Sequence, residues 1–222
     1  MVRQLGCVKN DLVVLVADAD MEASMKGLIR RSEALGIRPV EPDIFRHSGR
    51  DPGVLKDAHN FLAAYSRSYE YALAMFDREG CGEESKTRSD LEVEVQARLE
   101  AHGWRGRCAV VAIDPELEVW VWADSPHVAE VLGLSQNDLS AVLCKHQPTA
   151  ASGKPIRPKE AMNEALRLGR TPRSSALFRQ LAERVSLQRC KVSSFLRLRR
   201  ILRGWFRETG KATACDQPRV PT

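Results

Sequence analysis

Acidic residues follow three apolar segments of the chain, each at the point where the segment ends. They are Asp18, Asp20 and Glu22 after the first segment, Asp77 and Glu79 after the second, and Asp114, Glu116 and Glu118 after the third. In an open parallel sheet the carboxyl ends of the strands lie along one edge, where sites form. Carboxylates that meet there repel each other unless a cation neutralises them, and oxygen ligands suit Mg²⁺. Such a cation can activate water and stabilise the leaving oxygen of a phosphodiester.

The segments that carry these acids have the pattern of an α/β protein. The predicted strands are residues 12–17, 38–46, 71–76 and 107–113, and the predicted helices between them are 22–35, 54–66 and 83–102. Asp51-Pro52-Gly53 is predicted to be a turn. The alternation predicts a four-stranded parallel sheet with right-handed crossovers and flanking helices. In such a fold Asp20 and Glu22 can also serve only as first-turn residues that complement a helix dipole.

The charge of the chain divides into an acidic part and a basic part. From residue 151 to the end there are 17 Lys and Arg against 5 Asp and Glu, whereas the preceding residues hold 17 against 24. We predict an α/β domain at 1–146, a linker at 147–159, a basic helical subdomain at 160–207 and a disordered tail at 208–222. The basic part suits an anionic partner, either nucleic acid or another subunit, or it folds against the acidic domain of its own chain.

One predicted helix in the basic part carries a group of arginines that can contact phosphates. They are Arg197, Arg199, Arg200 and Arg203. Contacts of this kind bind nucleic acid in a salt-dependent and sequence-independent way. The alternative is a helix face that only meets solvent.

Cysteine usage and hydropathy bear on where the protein works. The six cysteines are scattered without a C-x-x-C pair, which predicts reduced thiols rather than a disulfide framework or a zinc site. The apolar run at 12–17 is too short to cross a membrane, and residues 1–9 lack the apolar core of a signal peptide. We therefore expect a cytoplasmic protein with no membrane partner.

Two of the acidic segments resemble motifs of the TOPRIM fold, a four-stranded parallel sheet that uses Mg²⁺. Phe76-Asp77-Arg78-Glu79-Gly80 resembles the D-x-D motif after its third strand, with Glu in place of the second Asp. Leu117-Glu118-Val119-Trp120 resembles a segment of TOPRIM-like proteins found near defence genes, and Glu118 falls on that family's acid. The usual Glu-Gly-x-Thr-Glu after the first strand is replaced by Ala17-Asp18-Ala19-Asp20-Met21-Glu22. Asp18 or Glu22 can stand in for the missing glutamate.

The whole chain is similar to a family of small proteins encoded in bacterial methylation-associated antiphage defence systems, through residues 76–82, 113–128, 154–162 and 172–190. This resemblance implies a role in restricting phage beside other defence-system proteins and does not fix the reaction. The TOPRIM resemblance implies a nuclease dependent on Mg²⁺ or Mn²⁺, or a relic of one, that acts on DNA or RNA. It implies metal ligands at Asp18, Asp77, Glu79 and Glu118, catalytic residues at Glu22, Asp77, Glu79 and Glu118, and a phosphate contact at Arg78. One alternative is a non-catalytic adaptor or sensor subunit that binds nucleic acid or a partner protein. Another is an enzyme for nucleotides or sugar phosphates.

Overall fold

Four parallel strands form the central sheet of the computed structural model, which describes residues 9–146 and 154–208. The strands are β1 (Asn10–Val16), β2 (Asp43–Arg46), β3 (Tyr69–Asp77) and β4 (Cys108–Ile113). They pair in the order β2-β1-β3-β4, and every pair is parallel. The prediction of a four-stranded parallel sheet flanked by helices is therefore confirmed.

The central residues of β1, β3 and β4 are apolar because both faces of the sheet are covered there. Residues 12–16 of β1 and 110–113 of β4 are 0% exposed, which explains their continuous apolar runs. The edge strand β2 is shorter than predicted and only partly buried. Pro39 and Pro42 precede it, and proline cannot donate a backbone hydrogen bond to a neighbouring strand, so pairing begins after them.

Helices cover the two faces of the sheet. They are α1 (Ala19–Ile29), α2 (Ser32–Leu35), α3 (Arg50–Ala63), α4 (Arg88–Leu99), α5 (Pro126–Leu132), α6 (Gln136–Lys145), α7 (Pro158–Leu168), α8 (Ser175–Arg184) and α9 (Ser193–Trp205). On one face of the sheet α3 contacts β1 and β3, and α4 contacts β4. The other face is covered by α1, which packs on α8, and by α9, which contacts β4. The chain moves in opposite directions from β1 to β2 and from β2 to β3, so right-handed crossovers place α1 and α3 on opposite faces. Within the described ranges no helix has the length and apolar character needed to span a bilayer.

The C-terminal helices share the hydrophobic core of the sheet. Phe178 of α8 and Leu198 of α9 are almost fully buried in the same cluster as the strands. Helix α8 lies so close to α1 that a Cβ on Gly27 would be 2.7 Å from the carbonyl oxygen of Arg179. The division into two domains stays a prediction, while the described parts on either side of 147–153 are joined through this core. Residues 147–153 of the predicted linker and 209–222 of the predicted tail lie outside the described residues.

The predicted turn at Asp51-Pro52-Gly53 is wrong, because these residues form the first turn of α3, which begins at Arg50. Proline is tolerated there because the first backbone N–H groups of a helix have no acceptor within the helix. Asp51 therefore lies in the first turn of a helix and next to the end of β3, rather than in a turn.

Helix α4 begins at Arg88, five residues later than predicted, because Thr87 caps it. The hydroxyl of Thr87 accepts a hydrogen bond from the backbone of Asp90 at 3.2 Å, and the Asp90 carboxylate accepts one from the backbone of Thr87 at 3.3 Å. In the preceding loop the Glu84 carboxylate accepts hydrogen bonds from the backbone of Gly80 and Gly82, each at 3.0 Å. The loop after β3 is thus held by its own side chains.

Candidate functional site

Asp77 lies at the centre of the acidic edge, at the last position of β3, where it is in register with Ile113 of β4. Its Oδ1 is shielded from solvent and has no hydrogen-bond partner in the described residues. Burial, followed by the charges of Asp51, Glu118 and Asp18, raises the pKa of Asp77 well above its usual value. A nearby cation would satisfy the unpaired oxygen and favour the charged carboxylate.

Asp51 is a site residue that sequence reasoning missed. Its Oδ1 accepts a hydrogen bond from the backbone N–H of Asp77 at 2.7 Å. Burial, and more weakly the charge of Asp18, raise the pKa of Asp51. The available signal was its place at the start of the helix after β2, equivalent to the place of Asp18 after β1.

Asp18 lies just after β1 and caps α1, which starts three residues earlier than predicted. Its Oδ1 accepts a hydrogen bond from the backbone N–H of Met21 at 2.9 Å. Its charge also contributes to raising the pKa of both Asp51 and Asp77. The capping role and the proximity to the acidic centre therefore occur together in one side chain.

Glu118 is almost fully buried, at 2% exposed, in a 3₁₀ turn (Leu117–Trp120) after β4. Its carboxylate forms an ion pair with Arg173 at 2.6 Å, and the same guanidinium lies 3.1 Å from Asp20. Burial alone would lower the pKa of Arg173, but the hydrogen bond and charge of Glu118 raise it overall. The basic part of the chain thus neutralises a predicted catalytic acid of the α/β part.

The other two predicted catalytic acids occupy less central positions. Glu22 forms ion pairs with Lys26 at 2.5 Å and with Arg46 at 3.1 Å. Glu79 is exposed in the loop after β3 and forms no ion pair within the described residues, while its backbone N–H donates to the carbonyl of Pro115 at 2.9 Å. Neither side chain is as enclosed as Asp77 or Glu118.

Arg78, predicted to contact a phosphate, holds the loop that follows β3. Its guanidinium donates to the carbonyl oxygens of Lys86 at 3.1 Å and Glu84 at 2.6 Å. It also pairs with Asp114 at 3.2 Å. Arg78 is thus bound both to the loop and to Asp114.

Glu116 is a buried acid tied to α7. It accepts a hydrogen bond from the backbone N–H of Lys159 at 3.0 Å, and the Lys159 ammonium lies 3.4 Å away. Burial, together with the charge of Glu118, raises the pKa of Glu116 to about 7 despite that ammonium. Glu116 can therefore hold or release a proton near neutral pH.

This raised pKa predicts a pH dependence of stability. The folded state binds more protons at Glu116 than the unfolded state between the usual pKa of 4.5 and about 7, so stability should fall as pH rises through that window. We expect the Glu116 contribution to be about 3 kcal/mol. Urea unfolding at pH 5 and pH 7.5 should show a smaller difference for Glu116→Gln than for the wild type. Glu160→Gln, at an exposed position of α7, should keep the wild-type difference; equal differences for all three proteins would contradict the assignment.

The carboxylates at this edge are ligands of the type that a divalent cation prefers, but few of them lie together. The described ranges contain no group of three or more His, Cys, Asp or Glu side chains that could hold a metal ion. Mg²⁺, however, usually keeps several waters and takes only one or two carboxylates from the protein. The unpaired Oδ1 of Asp77, with Asp51 and Asp18 nearby, supplies oxygen ligands of that kind.

An open cleft of about 1010 Å³ lies beside the carboxyl ends of β1 and β2. Its charged lining residues are Asp18, Asp20, Glu22, Arg46, Arg50, Lys159 and Arg173. The α1, α3 and α7 segments and the loop before α8 all contribute to it. The strand order reverses between β1 and β3, so the cleft lies next to the point where open α/β sheets bind ligands.

The arginines predicted to bind nucleic acid lie on α9, and most of them contact the protein itself. Arg197 donates to the carbonyl of Val110 at 3.0 Å and pairs with Glu92 at 3.2 Å. Arg199 donates to the carbonyl of Leu187 at 3.3 Å, and Arg203 donates to the carbonyl of Leu35. The exposed Arg200 is the predicted arginine without such a contact in the described residues. A shallow groove of about 470 Å³ on this helix is lined by Leu196, Arg199, Arg200, Arg203, Gly204 and Arg207.

Comparisons of the chain with protein-family models, with curated proteins and with solved structures find no match.

Proposed function

We propose that this protein is a divalent-metal-dependent, TOPRIM-like hydrolase of phosphodiester bonds that acts in a bacterial antiphage defence system. The observation that carries the proposal is the unpaired, shielded Oδ1 of Asp77, which lies among acids at the carboxyl edge of the sheet. A shielded carboxylate oxygen without a hydrogen bond is costly even though the backbone of Leu117 hydrogen-bonds to the Asp77 carboxyl, and such sites cluster where function requires them. The resemblance of the segments after β3 and β4 to TOPRIM motifs supports the same edge, because those two strands are neighbours.

The residues of the chain divide the proposed chemistry among them. Asp77 and Asp51 would hold Mg²⁺ or Mn²⁺, with Asp18 next to them. When bound, the cation supplies Lewis-acid chemistry to a phosphodiester. Glu116, whose pKa is about 7, can exchange a proton with solvent or substrate near neutral pH.

Calorimetry with Mn²⁺ and a cleavage assay on single- and double-stranded DNA and RNA test this proposal. We expect the wild type to bind Mn²⁺ and to cleave at least one of these substrates. Asp77→Asn should weaken Mn²⁺ binding by about a hundredfold or more, because loss of a direct ligand exceeds the 10- to 100-fold effect of supporting residues. Asp124→Asn is the matched control, because the Asp124 side chain is 95% exposed. Equal Mn²⁺ binding by Asp77→Asn and the wild type would contradict the metal site.

A second candidate function is a non-catalytic adaptor or sensor subunit that binds nucleic acid or a partner defence protein. The ion pair between Glu118 and Arg173 favours it, because a catalytic acid is already neutralised by the protein. In that case the exposed Arg200 on α9 is the most available contact for an anionic partner. Absence of both Mn²⁺ binding and cleavage in the experiment above would favour this candidate.

A further inference from the structure

Arg50, which lines the cleft, has an unusual backbone conformation. Its φ angle is 51°, in the left-handed region that residues with a side chain rarely adopt. Such strain persists only where the surrounding structure enforces it, and it is concentrated at functional sites. Sequence reasoning gave Arg50 no role.

His47 enforces the conformation of this segment. Its Nδ1 accepts a hydrogen bond from the backbone N–H of Gly49 at 3.0 Å. The ring fills the space above α3 so closely that a Cβ on Gly53 would lie 2.1 Å from Nδ1. Arg50 is therefore held in place between a packed imidazole and the first turn of α3.

The charge of Arg50 is unpaired, whereas the other cations of the cleft have acidic partners. Arg46 pairs with Glu22 and Lys159 with Glu116, as described above, and Arg173 is shared by two acids. Arg50 is exposed and forms no ion pair within the described ranges. Within the described residues, Arg50 is thus the Lys or Arg lining the cleft that has no acidic partner.

We infer that the cleft binds a phosphate group and that Arg50 contacts it directly. A guanidinium fits phosphate through two parallel hydrogen bonds, and the positive end of the α3 dipole adds to the attraction. Asp18 lines the same cleft, and its charge acts on Asp51 and Asp77, so the phosphate subsite would lie next to the residues that would hold a divalent cation. The choice of phosphate as the ligand rests on the proposed phosphodiester chemistry. The choice of Arg50 as its contact rests on the residues that line the cleft.

Titration calorimetry in metal-free buffer tests the inference with two probes. Thymidine 5′-monophosphate presents a terminal phosphate, and a trinucleotide without a terminal phosphate presents only diesters. We expect Arg50→Asn to weaken binding of at least one probe by about tenfold or more, because a charge-assisted contact is lost. Asparagine tolerates the left-handed conformation, so the backbone should be kept.

Arg170→Asn is the matched control. Arg170 has nearly the same backbone strain, with φ of 50°, and is also exposed, but it does not line the cleft. Its substitution should leave binding of both probes unchanged. Arg50→Gly should also lose phosphate binding while its unfolding midpoint rises by about 2 to 4 °C, since glycine relieves the strain.

The outcomes separate this inference from the proposed function. Reduced phosphate binding by Arg50→Asn with unchanged Mn²⁺ binding supports the inference, and the affected probe identifies the terminal or the internal phosphate as the ligand. Absence of binding of both probes by the wild type, or equal binding by the wild type and Arg50→Asn, overturns it. If the wild type binds phosphate through Arg50 but binds no Mn²⁺, the phosphate subsite is supported and the metal-dependent chemistry is contradicted.

Discussion

Replacing Arg173 with glutamine is expected to lower the free energy of unfolding by about 2 to 3 kcal/mol at pH 7. The change leaves Glu118 buried without its cation and also removes the packing of the guanidinium on Phe178, 4.9 Å from the ring centroid. The expected loss is below that of a fully buried pair because the Arg173 side chain is 35% exposed. Urea unfolding monitored by fluorescence measures it.

Arg184→Gln provides a matched control for this prediction. Arg184 is about as exposed as Arg173, but its partner Glu130 has a side chain that is 56% exposed whereas Glu118 is buried, so the loss should be below about 1 kcal/mol. Mn²⁺ should restore more stability to Arg173→Gln than to the wild type, because a cation can then approach the freed Glu118 carboxylate. If Arg173→Gln is no less stable than Arg184→Gln, the neutralising role of Arg173 is wrong.

The second large effect is expected from the acidic pair at the centre of the site. Asp77→Asn and Asp51→Asn should each raise the free energy of unfolding at pH 7 by about 1 kcal/mol, the scale of one like-charge contact. The free energy of unfolding of the double variant should rise by less than the sum of the two single increases, because either substitution removes the same repulsion. The pKa values of Asp77 and Asp51 are both raised, so wild-type stability should fall as pH rises above their usual value of 3.8.

A double-mutant cycle at pH 5 and pH 7 measures this coupling. Each asparagine keeps the shape of the side chain it replaces, and the amide oxygen introduced by Asp51→Asn can still accept the backbone hydrogen bond from position 77. Strictly additive effects, or a destabilising effect of both single substitutions, would show that the two acids do not share one electrostatic environment. Asp138→Asn, at an exposed first-turn position of α6, controls for a general effect of removing a carboxylate.

The sheet could be predicted from the sequence because β1, β3 and β4 have continuous apolar runs and are separated by helices. The same pattern placed Asp77 and Glu118 at one edge, and the charge of Glu118 does act on Asp77. The order of the strands could not be predicted, because apolar runs such as 12–16 and 110–113 carry no signal for which strand pairs with which.

Two residues of the site escaped prediction for different physical reasons. Asp51 lies in an Asp-Pro-Gly sequence that is typical of turns, although proline is equally suited to the first turn of a helix. Arg173 lies far along the chain from Glu118, and only the packing of α8 on α1 brings them together. The contacts of Arg197 with Val110 and of Arg203 with Leu35 are likewise set by packing, so charge spacing alone overstated the free basic surface.

The close contact at Gly27 means that α1 and α8 must move together. Helix α1 starts at the cap Asp18, and α8 starts two residues after Arg173. With the two backbones in direct contact, a force that displaces α8 must also shift α1. A displacement of α8 is therefore transmitted at once to Asp18 and to Arg173, an anion and a cation that line the cleft.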